Sequence, residues 1–187
     1  MNDSRTPGGR DGMQTFSQAV EGWHDFYIMV GTAAATLKGL LFVSLSLNAD
    51  VVLQKENADL RVLAAQTFTN FICVLMFAML FLIPLQGPHG LGIPLFGIGM
   101  VGLYTSIRRF LDIRKYRARA WGPSGLAWHF VFPIACFLAS LLVAISVLTG
   151  STSGLYWLIS VMIVLIWDAS IDAWDLLLQL RAVPKKS

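Results

Sequence analysis

The sequence predicts an all-α fold, a polytopic transmembrane bundle of five membrane helices with its N-terminus outside and its C-terminus cytoplasmic. Three observations lead there. Only 13% of the 187 residues are charged and 56% are apolar, where a soluble domain carries roughly 25% charged residues; mean hydropathy is +0.64. Five stretches are apolar enough to cross a hydrocarbon core, which takes about 20 helical residues. Basic residues collect on one side of those stretches. The composition excludes a typical soluble enzyme, a disordered chain and a secreted disulfide scaffold. Cys73 and Cys136 both lie in apolar runs and imply no disulfide framework.

Taken in order, residues 26–47 form the first span, with Lys38 as its single charge. Residues 62–85 form the second, uncharged and ended in the region of Pro84. Residues 91–107 make a short third span of 17 residues, and 126–148 the fourth. The fifth begins near Gly154, is uncharged through Trp167, and continues through Asp168, Asp172 and Asp175 before Leu176. It reads as a full span with a polar inner half; the rival is an interfacial or re-entrant helix. The connections at 86–90 and 149–153 hold no Lys or Arg. The other side holds eleven cations: Lys55, Arg61, Arg108, Arg109, Arg114, Lys115, Arg117, Arg119, Arg181, Lys185 and Lys186. The positive-inside rule makes that side cytoplasmic, and an odd number of spans then puts the N-terminus outside. Residues 1–24 read as a polar tail without a leader pattern, in which Phe16, Val20 and Trp23 fall at helical spacing, as on a short interfacial helix. Residues 25–181 are one bundle and 182–187 a cytoplasmic tail, and the expected location is a bacterial inner membrane.

Ionisable side chains inside a span are costly, about 2.5–3.5 kcal/mol on insertion scales, and usually face a bundle interior. Lys38 lies 12 residues along the first helix and Asp168 lies 14 along the fifth. At about 1.5 Å per residue their depths differ by roughly 3 Å, which predicts an ion pair, either purely structural or lining a polar path. Asp168, Asp172 and Asp175 fall on one helical stripe. Gln66, Asn70 and Cys73 share a face of the second helix; His129, Cys136 and Ser140 share one of the fourth, with His129 at the depth of Asp172 and Asp175. Lys38, Gln66, Asn70, His129, Asp168, Asp172 and Asp175 are therefore the candidate pore-lining residues, with interhelical hydrogen bonding as the plainer alternative. Gly31, Ala35 and Gly39 on the first helix, and Gly92, Gly99, Gly102 and Ser106 on the third, form small-residue stripes that serve close packing within a subunit or self-association.

No catalytic constellation stands out. Gly122-Pro123-Ser124-Gly125 reads as a turn, and Cys73, Cys136, His24, His89 and His129 lack metal-ligand spacing. No enzyme activity, cofactor or metal is expected. The strong feature of the basic side is segment 108–121, where Arg108, Arg109, Arg114, Lys115, Arg117 and Arg119 face one acid, Asp112, with Phe110, Tyr116 and Trp121 interleaved. It is a topological signal that also fits anionic lipid headgroups or, more sharply, a cytoplasmic nucleotide or oligonucleotide whose phosphates meet arginines and whose base stacks on an aromatic.

Trp23-x-x-Phe26-Tyr27, followed by Ala33-Ala34-Ala35-x-Leu37-Lys38-Gly39-Leu40-Leu41-Phe42-Val43-Ser44-Leu45-Ser46-Leu47-Asn48, resembles the first helix of a group of small bacterial membrane proteins, some labelled modulator of FtsH protease. The resemblance covers residues 23–62, with Lys38 where the pattern has a small or hydroxyl residue. It implies a non-conducting accessory protein that binds another membrane protein, such as a membrane-anchored protease. The general layout is also similar to that of membrane effectors of bacterial anti-phage systems. That similarity implies an oligomeric, channel-like effector, closed at rest, whose polar interior answers an anionic cytoplasmic ligand.

Overall fold

The computed structural model describes residues 23–54, 57–83, 87–115, 123–151 and 154–182. Five long helices account for nearly all of them: α1 (His24–Leu47), α2 (Ala58–Phe81), α3 (Pro88–Lys115), α4 (Pro123–Leu148) and α5 (Gly154–Ala182). One helical turn, Ala49–Val52, lies between α1 and α2, and no strand occurs among the described residues. In lipid the backbone must satisfy its own hydrogen bonds, so an apolar run without a pairing partner becomes a helix. Among the described residues four segments are long and apolar enough to cross a membrane: His24–Leu47, Leu60–Phe81, Pro88–Asp112 and His129–Leu148. α5 is not among them. It is nevertheless a single unbroken helix, without the reversal that a re-entrant segment needs.

Helices α2, α3, α4 and α5 close into a ring in which each touches its two neighbours, and α1 lies outside the ring on α2, grazing α5. Its outside position follows from its sequence. α1 buries only Tyr27, Val30, Gly31, Ala34 and Leu41, and the Tyr27 ring stacks on Phe81 of α2 at 4.5 Å. On its free side the hydroxyls of Thr36 and Ser46 donate to the carbonyls of Thr32 and Phe42 one turn back, which lets them face lipid without an outside partner.

The small stripe of α3 is a packing surface against α4. A methyl group on Gly99 would stand 2.8 Å from Ser140 Oγ, and one on Gly102 would stand 2.6 Å from Phe137 Cδ1. Both are far inside contact distance, so only glycine admits the fully buried Phe137 ring. The stripe of α1 divides: a methyl on Gly31 would meet Ala78 at 3.0 Å, whereas Gly39 has nothing within 4 Å. Gly150, at φ +84°, ends α4 in a Schellman turn. Its N–H donates to Val147 and that of Ser151 to Ser146, which closes the last carbonyls and turns the chain toward α5.

The second helix is displaced from the expected 62–85 to Ala58–Phe81, and two further boundaries differ. The third span was expected to end at residue 107, but α3 continues to Lys115. Nothing between 107 and 115 breaks a helix, and leaving the apolar layer is no reason for one to stop. The stretch expected as a turn before the fourth span contributes Pro123, Ser124 and Gly125 to the first turn of α4, where proline is favoured because its missing N–H would be unused. Residues 1–22, with the expected interfacial helix, and the tail from 183 lie outside the described residues.

Candidate functional site

The ring has two unlike halves. Toward the end where α2 leads into α3 and α4 into α5 it is filled by Phe77, Phe81, Leu91, Leu95, Val143, Val147, Leu158, Met162 and Leu165, all buried. At the other end, where α2 begins and α3 and α5 finish, Gln66, Thr67, Asn70, Ser106, His129, Asp168 and Asp172 are buried together with apolar residues such as Leu63, Phe130 and Leu176. All four ring helices contribute to this polar half.

Its hydrogen bonds run in one direction. Arg109 of α3 turns inward and donates to Gln66 Oε1 at 3.2 Å and to Thr69 Oγ1 at 2.7 Å. Gln66 Nε2 donates to Asn70 Oδ1 at 3.0 Å and to Ser106 Oγ at 2.8 Å. Asn70 Nδ2 in turn donates to Asp168 Oδ2 at 3.3 Å. A guanidinium thus reaches a carboxylate through two amides aligned head to tail, and each bond polarises the next. The chain ends at Asp168, which is 8% exposed and takes a hydrogen bond from Asn70 in place of the water it lacks inside the bundle.

One turn beyond Asp168, Asp172 is fully buried, and its Oδ1 is hydrogen-bonded to Nδ1 of His129 on α4. The other ring nitrogen, Nε2, stands 3.9 Å from Asp175 Oδ2, whose side chain is 36% exposed. Asp172 Oδ2 has no hydrogen-bond partner among the described residues. Pro133 has no N–H to offer the carbonyl of residue 129, so the α4 backbone is loosened where it carries His129.

Several expected site residues meet here: Gln66, Asn70 and Asp168 in one chain, and His129, Asp172 and Asp175 in another. Lys38 does not join them. Its Nζ lies 4.9 Å from the Phe68 ring centroid, and no ion pair links it to Asp168 among the described residues. The depth match is real but lies on different faces, because α1 is outside the ring. Ser140, expected to extend the α4 stripe, donates to its own helix at Phe137.

The basic segment is split. Arg108 is exposed over the Tyr104 ring at 5.3 Å, while Arg109 belongs to the interior. Arg114 and Lys115 lie on the last turn of α3, with side chains outside the described set, and Arg117 and Arg119 lie outside the described residues. Arg109 is the interior residue that reading the segment as a loop misplaces. A signal was present: the 7 and 3 spacings of Gly92, Gly99, Gly102 and Ser106 continue at 109 and put Arg109 on the ring-facing side.

Among the described residues no group of three or more His, Cys, Asp or Glu side chains is placed to hold a metal ion. Fold and site together define an all-helical chain with four helices fit to span a membrane and a charged network buried at one end. No family model, no curated protein and no solved structure matches it.

Proposed function

We propose that the chain is a five-span protein of the bacterial inner membrane and acts as a self-associating, channel-like effector, closed at rest and controlled by an anionic cytoplasmic ligand. The observation that carries this reading is Arg109. It caps the polar half of the ring, and its own helix runs on without a break to Lys115, where the cations of 114–119 begin in the sequence. An anion gathered by Arg114, Lys115, Arg117 and Arg119 would pull on the end of α3 and compete for the Arg109 guanidinium, releasing Gln66 and the amide chain behind it. The apolar half of the ring keeps the path shut until the helices separate. Crossing by α5 is supported by Trp157 and Trp174, both exposed and about 26 Å apart along the axis, close to the spacing of the two interfacial aromatic belts. A role in anti-phage defence belongs to this reading.

The second reading is a non-conducting accessory of a membrane protein such as a membrane-anchored protease. It is favoured by the same apolar half, which leaves no polar route through a single ring. Ligand binding by the purified protein at two salt concentrations, paired with ion flux in liposomes, separates the two. The effector binds nucleotide or oligonucleotide with an affinity that falls steeply with salt, loses it when Arg114, Lys115, Arg117 and Arg119 become Gln, and changes flux on binding. Absence of binding at low salt refutes ligand control, and binding without a change in flux refutes the channel.

A further inference from the structure

The second chain of the polar half, Asp175 to His129 to Asp172, plays no part in that ligand response. It starts at a carboxylate one-third exposed to solvent, passes through the two nitrogens of one imidazole, and ends at a carboxylate with no exposure. The fully buried carboxylate keeps one oxygen without any donor. Arg109, the cation of the interior, is committed through Gln66 and Asn70 to Asp168. Among the described residues His129 is thus the basic group paired with Asp172, and it is shared with Asp175. A carboxylate oxygen stranded in a low-dielectric interior costs far more than a neutral carbonyl oxygen in the same place.

We propose that Asp172 is a proton-binding site inside the bundle, loaded from the rim through Asp175 and His129. The transfer balances as follows. Asp175 takes a proton from water and, after its side chain rotates to close the 3.9 Å gap, gives it to His129 Nε2. The imidazole releases its Nδ1 proton to Asp172 Oδ1. Asp175 returns to carboxylate, the ring ends as the Nε2 tautomer, and Asp172 ends as a neutral acid whose O–H donates back to Nδ1. Its Oδ2 becomes a carbonyl oxygen, the form that tolerates having no partner. Reverse transfer resets the chain.

The ionisable groups facing the site from the packed helices are Asp168 and Asp175 on α5, His129 and Cys136 on α4, Cys73 on α2 and, through its two amides, Arg109 on α3. Lys38 on α1 is turned to Phe68. Of these, histidine is the one whose charge ordinarily changes near neutral pH and which offers two distinct nitrogens, as a shuttle between two carboxylates requires. The proposal does not depend on conduction: a non-conducting protein would bind the proton equally.

The test is infrared difference spectroscopy of the full-length protein in nanodiscs, following protonated-carboxyl absorption after a downward pH step, with elution profile and melting as controls. Wild type should show a buried-acid band that Asp172→Asn removes and Asp168→Asn retains. Asp175→Asn, a rim change that leaves the packing intact, should preserve the band but slow its appearance on the order of 10²-fold, the low end of what a positioned proton-transfer group supplies. His129→Gln should slow it likewise. A band that survives Asp172→Asn, or that vanishes instead with Asp168→Asn, overturns the site. Unchanged rates in both Asp175→Asn and His129→Gln overturn the route.

Discussion

Gln66→Met tests whether the amide chain holds the ring together. Methionine nearly matches glutamine in volume, so the change removes hydrogen bonds without opening a cavity. Three are lost: those to Asn70 Oδ1 and Ser106 Oγ, and the one accepted from Arg109. At about 0.6 kcal/mol for each side-chain bond in a membrane bundle, the floor is about 2 kcal/mol. Asn70 Oδ1 is then buried without its donor, which adds about 1–3 kcal/mol. Arg109 keeps Thr69 at 2.7 Å, so its charge is not fully stranded and the total should stay below about 5 kcal/mol. The assay is reversible unfolding in mixed micelles, titrated with SDS and followed by tryptophan fluorescence. A loss under about 0.5 kcal/mol, the range of an ordinary surface substitution, would refute the reasoning that Gln66 is the hub of the network.

Glycine positions should divide sharply. Gly102→Ala drives a methyl into the Phe137 ring and should cost about 1–3 kcal/mol, whereas Gly39→Ala, with open space around it, should be neutral or slightly stabilising when both are measured by the same titration. Lys38→Met should change stability by less than about 1 kcal/mol, since it gives up one cation–π contact, and a loss near that of Gln66→Met would show that Lys38 carries a buried partner. A cysteine replacing the exposed Thr149 should label with an impermeant thiol reagent from outside the cell and one replacing Arg117 should not, because cations mark the inner side; the opposite pattern reverses the proposed orientation.

The number of helices was legible because apolar length is a one-dimensional property, and so was depth along each axis. This is why His129 was expected level with Asp172 and Asp175, and why it meets them. Azimuth and neighbour order are not one-dimensional. Lys38 and Asp168 share a depth, but Lys38 rides on the helix that lies outside the ring, so the match carried no information about contact. Arg109 shows the converse. Hydropathy placed it in a loop, since charge normally ends a span, and the structure turns it inward because one amide and one hydroxyl of α2, those of Gln66 and Thr69, receive its hydrogen bonds. Composition could not rank that gain against the cost of burial. The spacing of the small residues on α3, which brings α3 and α4 into contact at Gly99 and Gly102, was the better guide to which way Arg109 faces.

Paired double-mutant cycles measure directly whether Asp168 is coupled to Arg109 across the two amides of Gln66 and Asn70. One cycle combines Asp168→Asn with Arg109→Gln, and the other combines Asp168→Asn with Lys38→Met, all read by SDS unfolding. Interacting residues show coupling of about 0.5–3 kcal/mol, while independent ones add within about 0.3–0.5 kcal/mol. The account predicts coupling in the Arg109 cycle and additivity in the Lys38 cycle. Additivity with Arg109 together with coupling to Lys38 would contradict it.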